Sequence, residues 1–199
     1  MGQEVAELLG GDAIEVARRL LGARLVRMEG GERRSGRIVE TEAYRAGDPA
    51  AHCYRGQTPR TRSMFGPPGL AYVFFTYGSC YCVNVVCEPA GCGAAVLLRA
   101  LEPVEGLEAM AAARGRDRDL LNGPGRICQA LGIDRALDGV DLLTSRELFL
   151  EPGEAVADRD VVQTVRIGIS VGQELPWRFA VAGNRHVSKR LRGAGDGAA

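Results

Sequence analysis

The chain has 199 residues, of which 46% are hydrophobic and 25% charged, and its formal net charge at pH 7 is zero. This composition is ordinary for a globular protein, and a core of this size needs no disulfide or metal support. No apolar run reaches the roughly 18–20 residues that span a bilayer, and no signal peptide is recognisable. We therefore expect a soluble, cytoplasmic protein with no membrane partner.

The first predicted element is a helix that begins after Asp12 and ends at Gly22, with Glu15 completing a capping box. Strands are predicted at 23–28 and 33–44, joined by a glycine turn. The next segment, 45–69, is rich in Arg, Pro and Gly and shows no periodicity. We predict a long loop there, and loops of this length are often functional.

Two strong strands are predicted at 70–77 and 80–87, with Gly78-Ser79 as a hairpin turn between them. The remaining predicted elements are a buried strand at 94–101, helices at 104–113 and 123–131 (the latter opened by Asn122 and Pro124), strand-like runs at 147–150, 161–171 and 177–182, and a disordered tail at 190–199. Together they predict an α+β fold, a single domain over 1–189 with a curved, mainly antiparallel sheet flanked by helices.

Six cysteines lie at positions 53, 80, 82, 87, 92 and 128. Without a secretory signal, free thiols are expected rather than disulfide bridges. Their spacing contains no paired Cys-x-x-Cys motif of the kind that holds zinc. We therefore predict that the chain binds no metal and no cofactor.

The distribution of basic residues is more informative than the net charge. Zero net charge by itself argues against a nucleic-acid partner, because phosphate binding usually leaves a surplus of basic residues. However, Lys189 is the only lysine, and the arginines cluster at 33–37 and again at 45–62. Guanidinium groups suit phosphate well. A GC-rich genome would explain the preference for arginine but not the clustering.

Polar side chains occur in strands that should be apolar. Strict alternation in the second strand places Ile38, Glu40, Glu42 and Tyr44 on one face, which is either a solvated edge or part of a site. Arg99 stands alone in an apolar strand, where a guanidinium is costly unless a carboxylate lies beside it. Glu40 or Glu42 could supply that carboxylate, either to fix packing or to hold and deprotonate a water molecule.

Aromatic residues give a second signal. Tyr72 and Phe74 share a strand face, and we expect Tyr44 to lie across from them. Rings on a sheet face usually belong to the core. Tyr77 comes just before the hairpin turn, next to the Arg-rich loop, so its ring is also compatible with a wedge inserted between the base steps of DNA.

Several long segments resemble the alkyladenine (3-methyladenine) DNA glycosylase family. They occur in the family's order and are GRIVETEAY (36–44), AAH (50–52), TPRTRSMF (58–65), YGSCYCVN (77–84), LLRALEP (97–103) and GPGRICQALGI (123–133). The resemblance covers roughly residues 14–185. It implies base-excision repair, in which an alkylated or deaminated purine is flipped out of double-stranded DNA and its N-glycosidic bond is hydrolysed, leaving an abasic site.

The resemblance also implies roles for individual residues. Glu42 matches the family's general base, and Arg99 matches the arginine that helps to hold the attacking water, aided by the backbone carbonyl near Ile167. Tyr44 and His52 match residues that enclose the flipped base, and Glu40 has no implied catalytic role.

Further matches concern specificity and DNA contacts. Tyr77 matches the residue that fills the gap left in the duplex, and Asn84 matches the side chain that excludes normal guanine. Phe74 departs from the family, which has a tyrosine there, so a hydroxyl is lost from the pocket wall. We expect Arg55, Arg60 and Arg62 to contact the DNA backbone.

The expected partner is double-stranded DNA containing damaged purines, bound by a monomeric, nucleoid-associated enzyme. Two alternatives remain open at this point. One is a catalytically inactive module that binds damaged DNA, and the other is a small-molecule hydrolase that uses Glu40 and Glu42 as a carboxylate pair.

Overall fold

The computed structural model describes residues 2–76 and 78–189; Tyr77 and the predicted tail at 190–199 lie outside the described residues. The helices and strands of this part of the chain are α1 (Gly2–Leu9), α2 (Ala13–Arg19), β1 (Arg24–Glu29), β2 (Glu32–Tyr44), β3 (Ala71–Thr76), β4 (Cys80–Val86), β5 (Ala95–Glu105), α3 (Leu107–Arg114), α4 (Pro124–Leu131), β6 (Leu148–Glu151), β7 (Val161–Thr164) and β8 (Arg178–Val181). Short 3-10 helices at Arg62–Phe65, Arg135–Leu137 and Asp158–Asp160 lie in the connections.

The eight strands form one curled antiparallel sheet. Its main path runs β3-β4-β5-β2-β1-β6, and β8 pairs with both β2 and β7. The longest pairing joins β2 to β5 in the middle of the sheet. The predicted α+β fold, with a curved and mainly antiparallel sheet flanked by helices, is confirmed.

The predicted start of α2 is confirmed. The Asp12 side chain accepts a hydrogen bond from the backbone N–H of Ile14 at 2.8 Å, which satisfies a donor that the first helical turn leaves free. Gly22 follows the helix with φ of +94°, and a Cβ atom there would lie 2.0 Å from the carbonyl oxygen of Glu154. Glycine is therefore required where the chain turns from α2 towards β1.

Three sequence predictions differ from the structure. The N-terminal helix α1 was not predicted, and the helix predicted at 104–113 begins only at Leu107 because β5 continues to Glu105. The strand predicted at 161–171 ends at Thr164. Beyond it the backbone leaves the sheet because Arg166 enters a buried ion pair with Asp48. Residues 167–171 become a loop instead.

Three register shifts interrupt the pairing of β2 with β5, and the second and third of them compensate each other. Ile38 pairs with Leu101 and Glu40 with Ala100, so Val39 is extra; Thr41 then pairs with Leu98, so Arg99 is extra. Such bulges re-aim side chains and are common beside active sites. Ile38 consequently joins the main core with Leu101, and the prediction that it shares a face with Glu40 and Glu42 is wrong.

The two faces of the sheet are covered differently. Along β5, Val96 and Leu98 belong to the main core, which also contains buried residues of α1, α2 and α4. Ala95 belongs to a smaller cluster on the other face, where Met64 and other residues of the long 45–69 loop pack. The loop is thus held against the sheet beside the pocket described below. Within the described ranges, no helix has the length and apolar character needed to cross a membrane.

Candidate active site

A pocket of about 340 Å³ opens on the face of the sheet opposite the main core. Six of the predicted site residues line it together: Tyr44, His52, Phe74, Asn84, Arg99 and Ile167. They come from β2 to β5, from the loop after β2 and from the loop after β7. The fold therefore brings together residues that are up to about 120 positions apart in the sequence.

Glu42 lies fully buried directly beneath this lining. Its Oε1 atom accepts a hydrogen bond from the backbone N–H of Ile167 at 2.7 Å. Its Oε2 atom accepts from the hydroxyl of Tyr44 at 2.9 Å and from Nη1 of Arg99 at 3.2 Å. A carboxylate has about four acceptor positions, so these three donors fix the group without saturating it.

The environment of Glu42 affects its pKa in two directions. Burial raises the pKa of this carboxyl above its ordinary value, since the charged form loses hydration. The charge of Arg99 and the hydrogen bonds from Ile167, Tyr44 and Arg99 oppose that effect without cancelling it. A carboxylate with a raised pKa is a better proton acceptor than an exposed one, which suits a general base.

Arg99 connects Glu42 to the second glutamate of β2. Its Nε atom donates to Glu40 Oε1 at 3.1 Å, and Nη1 also points to the carbonyl oxygen of Ile167 at 3.5 Å. Burial disfavours the charge on Arg99, but Glu42 and Glu40 outweigh this effect and raise its pKa. Arg99 is therefore a permanent cation in the pocket wall.

Glu40 has a different set of neighbours. It accepts hydrogen bonds from Nε of Arg178 at 2.7 Å and from both the backbone N–H and the hydroxyl of Ser188, in addition to Arg99. Glu40 is fully buried and does not line the pocket. It ties β8 and the segment around Ser188 to Arg99, which is a positioning role.

Aromatic rings form the walls of the pocket. The rings of Tyr72 and Phe74 lie 5.3 Å apart, as expected for two residues on one strand face, and His52 lies edge-on to Phe74 at 4.4 Å. His52 Nδ1 and the hydroxyl of Tyr72 are 2.8 Å apart, which fixes the imidazole. Burial and the nearby charge of Arg60 lower the pKa of His52, so its ring is neutral at physiological pH.

Asn84 lies on the pocket wall and is 4% exposed. Its Nδ2 atom donates to the backbone carbonyl of Tyr72 on the neighbouring strand at 3.0 Å. The side-chain amide is thus held in one orientation between the two strands of the hairpin.

A family profile described as methylpurine-DNA glycosylase matches residues 7–185. The chain belongs to the methylpurine-DNA glycosylase family. As a member, it is a DNA glycosylase of base-excision repair, a hydrolase of N-glycosyl bonds. The family resemblance drawn from the sequence is confirmed.

Three similar bacterial proteins are each provisionally named 3-methyladenine DNA glycosylase. A protein of Burkholderia cenocepacia (strain HI2424) is 55% identical over 181 residues, covering 88% of this chain and 86% of the relative. A protein of Carboxydothermus hydrogenoformans is 50% identical over 181 residues, covering 90% of this chain and 95% of the relative. A protein of Chlorobaculum parvum is 46% identical over 193 residues, covering 95% and 92% respectively.

Sequence reasoning missed part of the glycosylase site. Arg166 and Asp48 form an ion pair in which both side chains are fully buried, and residues 167–171 beside them form a pocket wall. The sequence carried a signal, because Arg166 places a charged side chain within the segment predicted as a strand. Only the carbonyl near Ile167 was singled out there.

The three arginines expected to contact DNA are exposed. Arg60 donates to the backbone carbonyl of Phe75 at 3.3 Å, and its guanidinium lies 5.7 Å from the centre of the Phe74 ring. Arg62 begins the short 3-10 helix beside the pocket, and Arg55 precedes it in the same loop. None of the three lines the pocket, whereas Tyr77 lies outside the described residues.

The thiols and acidic groups of the glycosylase do not assemble a metal centre in the part of the chain that the structure describes. All six cysteines are free thiols. Cys82 lines the pocket, and burial raises the pKa of its thiol to about 12. That group is therefore protonated at neutral pH and is a poor nucleophile or metal ligand.

Proposed function

We propose that this glycosylase flips a damaged purine out of duplex DNA into the aromatic pocket and hydrolyses its N-glycosidic bond with a water activated by Glu42. The observation that carries the proposal is the buried Glu42–Arg99 pair directly beneath a pocket walled by aromatic rings. A carboxylate and an arginine that are held together beside a wall of aromatic rings can orient a water molecule, and the carboxylate can accept its proton.

The proposed reaction balances as a simple hydrolysis. The water oxygen bonds to C1′ of the deoxyribose as the bond from C1′ to the purine nitrogen breaks, and the purine leaves with the electron pair. Glu42 accepts the proton of the water. Arg99 and the carbonyl oxygen of Ile167, which are 3.5 Å apart, hold that water opposite the leaving base. The products are a free base and an abasic site.

The pocket walls suit a planar base. Extrusion costs a few kcal/mol and is easiest for damaged or mispaired bases. Stacking against Tyr44 and Phe74 offsets part of that cost, and electron-rich rings add a cation–π attraction for a positively charged alkylated purine. Such a base already carries the charge that makes it a good leaving group, so positioning of the water is the main task left.

The surroundings of the pocket suit a DNA duplex. Arg55, Arg60 and Arg62 are exposed on the loop beside the pocket opening, where phosphates of a bound duplex would pass. We propose that they contact the backbone, that Tyr77 fills the gap left by the flipped nucleotide, and that Asn84 excludes guanine. Residues 1–189 would act as one monomeric domain, associated with the nucleoid of a bacterial-type cell.

The test is base release from defined duplexes. The chain is incubated with otherwise identical duplexes that carry 3-methyladenine, 7-methylguanine, hypoxanthine, ethenoadenine or no lesion, and the free bases and the abasic sites are both measured. We expect equal amounts of base and abasic site, with the ranking of the lesions defining the substrate preference. Tight binding to a lesion without release of any base would instead support the inactive damage-binding module.

A further inference from the structure

Arg166 does not line the pocket itself, but it joins three segments that build the pocket. Both of its Nη atoms donate to the carboxylate of Asp48, with Nη2 to Oδ1 at 2.9 Å. Nη1 also donates to the carbonyl oxygen of Ala43 at 3.0 Å, and Nη2 to that of Gly172 at 3.4 Å. These partners belong to the end of β2, the loop that leads to His52 and the loop after β7.

The same guanidinium packs against two aromatic rings. Its Cζ atom lies 4.7 Å from the centre of the Tyr44 ring and 5.0 Å from the centre of the Trp177 ring. Tyr44 lines the pocket, and its hydroxyl donates to Glu42. One phenol ring therefore contacts the base pocket, the carboxylate beneath it and Arg166.

The backbone of the loop after β7 is adapted to Arg166. Gly172 has φ of +62°, and a Cβ atom at that position would lie 3.2 Å from Nη2 of Arg166. The glycine allows the loop to close tightly on the guanidinium. This loop contributes residues 167–171 to the pocket wall, so the contact between Arg166 and Gly172 lies directly beside that wall.

We propose that Arg166 is a positioning residue for base excision, which holds the Tyr44 ring as a stacking wall and keeps its hydroxyl in place as a donor to Glu42. The proposal rests on the function proposed above. Arginine suits this task, since one planar group forms a two-pronged bond to a carboxylate, donates to carbonyl groups and stacks on rings, which lysine cannot do. The competing interpretation is a buried ion pair that supports only the fold.

The two interpretations differ in the ionisation of Glu42. The groups around this carboxylate are Arg99 from β5, Tyr44 from its own strand with Arg166 behind it, Glu40 beyond Arg99, Asp48 as the partner of Arg166, and His52 and Cys82 on the pocket walls. If Arg166 acts through Tyr44, displacing its guanidinium weakens the hydrogen bond from Tyr44 to Glu42. The pKa of Glu42 then rises further, and excision needs a higher pH.

The experiment is a pH profile of single-turnover 7-methylguanine release by the wild type, Arg166→Lys, Tyr44→Phe and the double variant. The positive charge of this lesion is fixed, so the acidic limb reports the general base. We expect both single variants to move the acidic limb upward by about one pH unit, the size expected from losing one hydrogen bond to a charged carboxylate. The double variant should move it no further, because both changes remove the same donor.

Arg27→Lys is the matched control. Arg27 is 9% exposed and ion-paired with Glu29 at 2.8 Å, and its Nε atom, like that of Arg166, lacks a partner within the described residues. It lies on β1 and lines no part of the pocket. Even if Arg27→Lys lowers the melting temperature, the acidic limb of its excision rate should stay at the same pH as in the wild type.

A second measurement separates this proposal from the proposed function. The fluorescence of an ethenoadenine in a duplex is quenched when the base stacks in the pocket. Measuring this quenching on binding follows the stacking and requires no chemistry. Arg166→Lys should quench less than wild type, and Trp177→Phe, a milder change that keeps the ion pair, should give an intermediate value. Equal quenching by all three proteins, or a rate loss in Arg166→Lys that is the same at every pH, would overturn the positioning role. Quenching by wild type without base release would refute the proposed hydrolysis alone.

Discussion

Nη1 of Arg99 lies 3.2 Å from Oε2 of Glu42, and this contact joins two residues of adjacent strands at a bulge. Because Arg99 is an extra, unpaired residue of β5, its side chain is aimed at the carboxylates of β2. The same guanidinium bonds Glu40, so both glutamates share one arginine. What distinguishes them is that Glu42 also bonds two groups of the pocket lining, Tyr44 and Ile167.

Glu42→Gln should abolish base excision while leaving affinity for lesion DNA largely intact. The amide keeps the shape of the carboxylate but cannot accept the proton of the water, and a positioned base typically contributes about 10²–10⁴-fold. Single-turnover excision and equilibrium binding to the same duplex measure the two effects. A near-wild-type rate would remove Glu42 from the mechanism.

Glu40→Gln should show the opposite balance, a milder loss of rate and a larger loss of stability. Glu40 compensates Arg99 and Arg178 in a fully buried position, and breaking such a pair costs about 3–5 kcal/mol. Urea denaturation measures the free energy of unfolding of both variants. A greater rate loss in a stable Glu40→Gln than in Glu42→Gln would assign the general base to Glu40 instead.

The rate of excision should fall on acidification at a pH above 4.5, the ordinary pKa of a glutamate. The sign follows from the raised pKa of Glu42, because the base must be deprotonated and burial makes the proton harder to remove. The same shift makes the contribution of Glu42 to folding stability greatest below the pKa that this group has in the unfolded chain. The contribution is lost as the pH rises through its pKa in the folded protein. A pH profile of 7-methylguanine release, compared with the melting temperature over the same range, tests both parts. An acidic limb of the excision rate at or below pH 4.5 would contradict the assignment of Glu42 as the general base.

Affinity for undamaged duplex DNA should fall steeply with salt despite the zero net charge. Each phosphate contact adds about −0.9 to the slope of log affinity against log salt. Replacing Arg55, Arg60 and Arg62 by alanine should therefore flatten the slope by about one unit each. Arg159→Ala is a matched control, since its side chain is 86% exposed and belongs to the 3-10 helix before β7. An equal effect of the control would show that the charges act without a defined contact.

The sequence predicted the elements of the sheet well because their signals are local. Apolar strands with isolated polar residues, a hairpin glycine and the cap at Asp12 each depend on a few neighbours. The predicted ends of elements were wrong where a residue distant in the sequence determines them. β7 ends early because Arg166 pairs with Asp48, which lies 118 positions away. The bulges at Val39 and Arg99 follow from the pairing of two strands, so alternation within one strand could not place Ile38 in the core.

The candidate site likewise has residues that the sequence predicted and residues that it missed. Six of the residues taken from the family resemblance line one pocket, and Glu42 lies buried beneath it. Arg166 and Asp48 lie behind those side chains, and the charge of Arg166 within a predicted strand does not by itself identify its partners. Their role becomes visible only when the partners are known: two carbonyl groups, a carboxylate and two rings converge on one guanidinium.

The last prediction concerns Asn84 and the rejection of normal guanine. Stacking alone is nearly blind to base identity, so an aromatic pocket needs another means of excluding undamaged purines. Guanine differs from hypoxanthine by its exocyclic amino group. Asn84 lies on the pocket wall with its amide held by the carbonyl group of Tyr72, so a rigid group can oppose that amino group.

Asn84→Ser and Asn84→Ala should therefore raise slow release of guanine, from undamaged or mismatched pairs, relative to release of hypoxanthine. The ratio of the two rates is the measurement, since a general loss of activity cancels from it. If the asparagine serves only to join β3 to β4 through Tyr72, the variants lose stability and both rates fall together. Unchanged selectivity in a variant that is folded by circular dichroism would therefore reject guanine exclusion and leave Asn84 with the structural role alone.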